Sequence, residues 1–114
     1  MEVKNNDFSV YYDSSNQTIF FQGTLRLNGD QEYAGIMQLL EEILKSPPPL
    51  ITLNLERLEF LNSSGINTLS KFTIKVRRMG NISLLVIGSK NIFWQQHSLQ
   101  NLQRLFPRLK LEYK

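Results

Sequence analysis

Two hydrophobic patterns alternate along the chain. Short runs rich in β-branched and aromatic residues predict strands, and longer stretches with apolar residues three and four positions apart predict helices. The predicted strands cover residues 8–12, 18–27, 50–55, 82–87 and 109–113. The first and third predicted helices cover 31–45 and 91–106, and the second begins within 62–65 and ends at 79. The elements therefore follow the order β-β-α-β-α-β-α-β.

Local signals predict where several of these elements begin and end. Asp30 can cap the first helix, and the three prolines after Ser46 end it because proline lacks an amide proton. Gly80 is expected to end the second helix in a left-handed conformation. Residues 56–61 are predicted to form a connecting loop, and Ser98 can cap a second short helix within 91–106.

The order of the elements predicts the fold class. Strands that alternate with helices are typical of parallel crossover units, and the opening hairpin adds antiparallel strands. The runs 50–55 and 82–87 are apolar at nearly every position, as in strands covered on both faces. We predict one α/β domain over residues 1–114, a mixed β-sheet with helices packed against it.

Composition removes several classes of protein. Of the 114 residues, 41% are apolar and 20% are charged, so the chain is expected to fold. It has no Cys and one His, which excludes disulfide frameworks and Cys/His zinc sites, and we predict no metal site and no cofactor. Without a membrane-length apolar run or a secretory signal, a cytoplasmic location is predicted.

The net charge of +3 is unevenly distributed. Residues 1–56 contain three Lys or Arg and eight Asp or Glu, whereas residues 57–114 contain ten and two. Two alternatives are compatible with this division. Either the folded chain interleaves the two halves and cancels the field, or one surface keeps its excess and attracts a partner of opposite sign.

The sequence carries no recognisable catalytic motif. His97 is the only imidazole and lies in a polar stretch, which favours a surface position over a nucleophilic site. No glycine-rich phosphate loop occurs, and the carboxylate pairs Glu41–Glu42 and Glu56/Glu59 fit solvated faces. We therefore predict that the protein is not an enzyme.

Two features suggest contacts with other macromolecules. A basic cluster on the second helix is the footprint that nucleic-acid binding needs, although cations also suit the C-terminal end of any helix. No nucleic-acid-binding motif accompanies the cluster, so nucleic acid is only the weaker alternative. Phe93 and Trp94 are either an exposed aromatic anchor or part of the edge of the core. The basic cluster consists of Lys71, Lys75, Arg77 and Arg78.

The segment Asn62-Ser63-Ser64-Gly65 lies where a helix is predicted to begin. Its first three residues are each competent N-caps, and a plain cap contributes about 1 kcal/mol. A serine hydroxyl at the positive end of a helix is also a position that tolerates a phosphate, because free amides and the helix dipole favour an anion. A phosphate adds about −1.5 to −2 charges and would change the surface without unfolding the domain.

Residues 53–69, Leu-Asn-Leu-Glu-Arg-Leu-Glu-Phe-Leu-Asn-Ser-Ser-Gly-Ile-Asn-Thr-Leu, resemble the STAS domain family, whose founding members are bacterial anti-sigma factor antagonists. The family pattern is an apolar strand, a loop that ends in apolar-Asp-Ser-Ser/Thr-Gly, and a helix. Residues 21–25 and 79–86 resemble two further family segments, a Gly-Glu-apolar stretch and a glycine-stopped helix followed by a strand. The order of elements matches along essentially the whole chain.

The resemblance implies a signalling module that binds a serine kinase, which is itself the anti-sigma factor. Phosphorylation by that kinase would release the module, a phosphatase would reset it, and the cycle would regulate transcription. Carried over residue by residue, the phosphoacceptor is Ser63, with Ser64 as second choice. The implied partner-binding residues are Asn62, Ser63, Ser64, Gly65 and Lys71.

The chain departs from the family pattern at one position of this segment. Asn62 stands where the family has aspartate, which removes one negative charge beside Ser63. If the kinase needs that carboxylate, the protein is instead a STAS scaffold, or a nucleotide-sensing module, that is not phosphorylated.

Overall fold

Six strands and five helices alternate along the chain in the computed structural model, which describes residues 1–114. The strands are β1 Glu2–Lys4, β2 Phe8–Asp13, β3 Thr18–Leu25, β4 Leu50–Leu61, β5 Ser83–Gly88 and β6 Lys110–Tyr113. The helices are α1 Gly29–Glu32, α2 Ala34–Lys45, α3 Ser63–Met79, α4 Phe93–Ser98 and α5 Gln100–Leu105. None of the helices combines the length and the apolar character that crossing a membrane requires.

The strands form a single mixed sheet in which the spatial order equals the chain order. β1, β2 and β3 pair antiparallel, and β3, β4, β5 and β6 pair parallel. Every parallel step passes through helices: α1 and α2, then α3, then α4 and α5. The predicted class, a single α/β domain with helices against a mixed sheet, is confirmed.

The core lies between one face of this sheet and the helices. Alternate strand residues such as Phe21, Leu53 and Val86 belong to one buried cluster together with the apolar faces of α2, α3 and α5. Phe20 and Ile87, on the opposite face, lie outside that cluster and stay partly exposed. The expectation that the central strands are covered on both faces is therefore wrong.

Strand β4 continues through residues 56–61, which were predicted to form a loop. Leu55, Leu58 and Leu61 are all buried, although they are spaced by three residues rather than two. The register between β3 and β4 shifts twice, between Phe20 and Gln22 and between Gly23 and Thr24. A bulge adds a residue to one strand, so these two irregularities hide the strand's period in the sequence.

Four other features of the structure differ from the prediction. β1 was not predicted, because it has only three residues. The first helix is divided at Tyr33, and the N-cap of α1 is Asn28 rather than Asp30. The predicted division of 91–106 is confirmed, but Leu99 rather than Ser98 occupies the N-cap of α5. The stop at Gly80 is confirmed, with a φ of 80° in the left-handed region.

Most of the basic cluster is engaged in contacts within the chain. Lys71 Nζ lies 2.8 Å from Asp30 Oδ2, and Lys75 forms an ion pair with Glu41. Arg77 Nη1 donates to the carbonyl of Leu105 at 2.9 Å. Three of the four cations are thus engaged within the chain, and two of them pair with carboxylates of the first half. This favours interleaved charges over a free basic surface.

Candidate functional site

Helix α3 begins at the end of the sheet where β3 and β4 both finish. Asn62 is its N-cap, with extended backbone angles, and its Oδ1 accepts from the Gly65 amide at 3.0 Å. The predicted start of a helix in this segment is confirmed. Of the three residues that could cap the helix, Asn62 is the one that does. The hydroxyls of Ser63 and Ser64 are therefore left for other contacts.

Asn62 also joins two distant parts of the chain. Its Oδ1 accepts from the hydroxyl of Tyr33 at 2.7 Å, and its Nδ2 donates to the carbonyl of Leu27 at 2.6 Å. Burial raises the pKa of Tyr33, against a smaller opposing effect of a backbone hydrogen bond with Leu27, so the phenol stays protonated and can donate. The site therefore uses both the oxygen and the nitrogen of this amide, and an aspartate has no equivalent donor.

Ser63 occupies the first position of the helix. It is exposed, and its hydroxyl makes no hydrogen bond with the rest of the chain. The amides of Ser63 and Ser64 precede the first acceptor that a helix can offer and point out of its N-terminus. A group attached to this hydroxyl therefore meets solvent and unpaired amides, and it displaces no existing contact.

Ser64 differs from its neighbour because both of its polar groups are engaged. Its Oγ accepts from the Gly29 amide at 3.1 Å, and its carbonyl accepts from Thr68 Oγ1 at 3.0 Å. A phosphate on Ser64 would break the contact with Gly29. Of the two hydroxyls, that of Ser63 is the one without a contact inside the chain.

Gly65 is buried and has a packing role. A Cβ at this position would overlap Leu61 Cδ1 and lie 2.7 Å from the Tyr33 hydroxyl. The glycine therefore lets α3 approach the end of β4 and the Tyr33 side chain. Gly65 is therefore part of the packing beneath the exposed Ser63.

We expect Gly65→Ala to destabilise the protein by about 1 kcal/mol. Overpacking costs about 1–3 kcal/mol, and the better helix propensity of alanine offsets about 1 kcal/mol. Urea unfolding measures the difference. Gly35→Ala is the matched control, because nothing lies within 4 Å of a Cβ there and helix α2 should gain stability. Equal gains for both variants would contradict this role of Gly65.

Lys71 lies on α3 two turns beyond Ser63. Its ion pair with Asp30 joins α3 to α1. Two hydrogen bonds, from Asn62 to the Leu27 carbonyl and from the Gly29 amide to Ser64, connect the same two regions. The segment from Leu27 to Asp30 is thereby tied to the start of α3. Sequence reasoning missed Tyr33 and Leu27, since their roles come from contacts with a residue about thirty positions away.

Aromatic residues lie on both sides of the C-terminal end of β4. The guanidinium of Arg26 stacks over the Phe60 ring, 4.7 Å from its centroid, and Phe60 is 38% exposed. Trp94 Nε1 donates to the Glu59 carbonyl at 2.8 Å, and its ring packs against the core. Of the predicted pair, Trp94 belongs to the core edge and Phe93 is exposed.

Gln95 lies on α4 directly after Trp94 and is completely buried. Its Nε2 donates to the carbonyls of Leu55 and Leu58, at 2.7 and 3.0 Å, and its Oε1 accepts from the Ser89 amide at 2.6 Å. β5 stops pairing with β4 at Asn54, so the Gln95 side chain supplies hydrogen bonds to β4 carbonyls that β5 does not reach. His97 is exposed, and its predicted surface position is confirmed.

Comparison with known proteins identifies the fold. No protein-family model matches the chain, and no curated protein matches it. Among solved structures, a chain from the complex of the Pseudomonas aeruginosa diguanylate cyclase SiaD with its activator SiaC superimposes with a TM-score of 0.73 at 13% identity, covering 100% of this chain and 99% of that one. The chain has the fold of SiaC.

Two further structures of SiaC agree with this assignment. One, described as SiaC of Pseudomonas aeruginosa, has a TM-score of 0.67 at 13% identity over 99% of this chain and 93% of that chain. The other, apo-SiaC, has a TM-score of 0.67 at 12% identity over 100% and 97%. At such low identity the likeness to SiaC establishes the architecture of the chain and leaves its partners to be inferred.

Proposed function

We propose that the protein is a non-enzymatic, STAS-type signalling module that binds a protein partner through the N-terminal end of α3 and is switched by phosphorylation of Ser63. One observation carries the proposal: the Ser63 hydroxyl is exposed and uncommitted at a helix N-terminus where the side chains of its two chain neighbours, Asn62 and Ser64, are both engaged. The site is thus built around one accessible nucleophilic oxygen.

Phosphorylation at this position changes charge without changing the fold. A kinase would transfer the γ-phosphoryl group of ATP to Ser63 Oγ and release ADP and a proton, and a phosphatase would hydrolyse the ester to return serine and phosphate. The phosphate oxygens can accept from the amides of Ser63 and Ser64, and the helix dipole favours the anion. A partner that fits the neutral tip would then meet about two negative charges.

Two classes of partner are supported by different observations. The resemblance to STAS domains supports a serine kinase that acts as an anti-sigma factor, together with a phosphatase. The likeness to SiaC, which activates the diguanylate cyclase SiaD, supports a bacterial signalling enzyme as the partner. In either case the module regulates another protein and performs no chemistry itself.

The alternatives without phosphorylation have less support. A scaffold or nucleotide-sensing role was motivated by Asn62 in place of aspartate, yet the contact of its Nδ2 with Leu27 gives that asparagine a structural reason. Nucleic-acid binding would need the basic cluster on α3, of which Lys71, Lys75 and Arg77 are engaged within the chain.

Partner binding by Ser63 variants in the native cell tests the proposal. We expect Ser63→Asp to weaken partner binding about tenfold or more, because like charges at an interface are strongly unfavourable, and Ser63→Ala to retain it. The partner is first identified by cross-linking to wild-type protein, then purified and titrated against each variant.

The control is Ser83→Asp, which adds the same charge at an exposed serine where β5 starts, at the opposite end of the sheet. This control should bind like wild type. Indistinguishable affinities for Ser63→Asp and Ser63→Ala, with no phosphorylated Ser63 peptide in any growth condition, would refute the switch.

A further inference from the structure

The register of the sheet brings the cation Arg26 close to the start of α3. In the register of the sheet Leu25 pairs with Leu61, and the Asn62 amide donates to the Leu25 carbonyl at 3.2 Å. Adjacent strands lie about 4.8 Å apart, so Arg26 and Asn62, the residues that directly follow β3 and β4, are neighbours. Ser63 follows directly, within reach of an arginine side chain.

The guanidinium of Arg26 is held only by a ring. It stacks over Phe60 and forms neither an ion pair nor a side-chain hydrogen bond within the chain. All five of its N–H donors are therefore free. Arg26 is also exposed, so its side chain can rotate away from Phe60 without disturbing buried groups.

Two of the other charged groups near this end of α3, Lys71 and Glu32, are engaged within the chain. Asp7 lines the same surface pocket as Arg26 and forms no ion pair with it. Lys71 is paired with Asp30 and lies eight residues along the helix, about 12 Å from Ser63. Glu32 accepts from the Asn28 amide at 2.9 Å. Glu59 is exposed on β4 and has no cation within bonding distance.

We propose that Arg26 is the residue that binds the phosphate of phosphorylated Ser63, and that it leaves the Phe60 ring to do so. This inference rests on the proposed function, because it concerns the modified state. A guanidinium pairs bidentately with phosphate through charge-assisted hydrogen bonds, which are stronger than a cation–π contact at an exposed site. Phosphorylation then has two surface effects: it adds an anion at Ser63 and uncovers the Phe60 ring.

The consequence is a partner surface with two forms. In the unmodified protein a partner meets the free donors of Arg26 above Phe60, which suit a carboxylate carried on an apolar segment. In the modified protein the same donors are occupied by the chain's own phosphate. The partner is therefore released by competition for Arg26 as well as by repulsion.

The test uses the full chain with phosphoserine incorporated at Ser63 during translation, and it needs neither the kinase nor the partner. Phosphorus NMR measures the second pKa of the phosphate, which is about 6 in a free phosphoserine. We expect Arg26→Gln to raise this pKa by about half a unit or more, because the neighbouring cation favours the dianion. Helix amides and dipole act equally in both proteins and cancel in the comparison.

Two variants serve as matched controls. Arg57→Gln removes an equal charge on β4, about five residues before Asn62 and so about 17 Å away along the strand, and should shift the pKa by less than about 0.2 unit. Lys71→Gln should also leave it nearly unchanged. A larger effect of Lys71→Gln than of Arg26→Gln, or no effect of Arg26→Gln, would overturn the inference.

A second measurement follows the guanidinium itself. In the unmodified protein the Nε proton of Arg26 should resonate upfield, because the adjacent guanidinium carbon lies 4.7 Å from the centroid of the Phe60 ring, and Phe60→Leu should abolish that shift. Phosphoserine at Ser63 should move the resonance downfield. An unchanged resonance would show that Arg26 stays on the ring. If cells never phosphorylate Ser63, the proposed function fails while these measurements remain decisive for Arg26.

Discussion

Gln95→Glu should lower the free energy of unfolding by about 3 kcal/mol or more at pH 7. The substitution changes one amide into a carboxylate of the same shape. The native Nε2 donates to the carbonyls of Leu55 and Leu58 in a completely buried position, and the new oxygen would face both carbonyls with no proton to offer. Desolvation of the charge and the loss of two donors act in the same direction.

The same variant should show a distinctive dependence on pH. Burial and the two carbonyls raise the folded-state pKa of the introduced carboxyl above its unfolded value of about 4.3. The stability deficit relative to wild type is therefore smallest below pH 4.3, where the protonated carboxyl can still donate once. The deficit grows as the pH rises from there to the folded pKa and is constant above it.

Urea unfolding of both proteins between pH 4 and pH 8 measures this difference, and comparison with wild type removes the contribution of the chain's other carboxylates. Gln96→Glu is the matched control, because Gln96 is the exposed neighbour on α4 and should show almost no change. A deficit that does not vary with pH, or one equal to that of the control, would mean that the hydrogen bonds from Gln95 to the β4 carbonyls do not stabilise the fold.

The helix that bears the site was predictable because its signals are local. Asn62 provides a cap and Gly80 a left-handed stop, and the apolar positions between them follow the helical period. Such signals depend on a few consecutive residues, so they survive in the sequence whatever the rest of the chain does. The exposure of Ser63 follows from the same local geometry.

The features that shape the site depend on distant contacts and could not be predicted. The extension of β4 to Leu61 requires two shifts of register against β3, and each shift breaks the alternation that identifies a strand. Tyr33 and Leu27 meet Asn62 across 29 and 35 positions of sequence. Gln95 looks like one of several polar residues on an amphipathic helix until β5 is seen to stop at Gly88.

The asparagine at the start of α3 provides a test of whether the site could accept the aspartate of the STAS pattern. Asparagine and aspartate are nearly equal as N-caps, so capping alone predicts no change for Asn62→Asp. The structure predicts a loss of about 2 kcal/mol, because the Leu27 carbonyl would lose its donor and face a carboxylate oxygen instead. Asp would keep the two contacts with Gly65 and Tyr33, which is why the loss is not larger.

Urea unfolding of Asn62→Asp at pH 7 decides between these expectations. Asn28→Asp is the matched control, since Asn28 is the N-cap of α1 but its side chain makes no capping hydrogen bond. That control should lie within about 0.5 kcal/mol of wild type. If Asn62→Asp is as stable as the control, the contact with Leu27 is dispensable and does not explain why position 62 is an asparagine. If it loses stability as expected, the loop at Leu27 and the residue before Ser63 form one hydrogen-bonded unit, and that unit requires an amide.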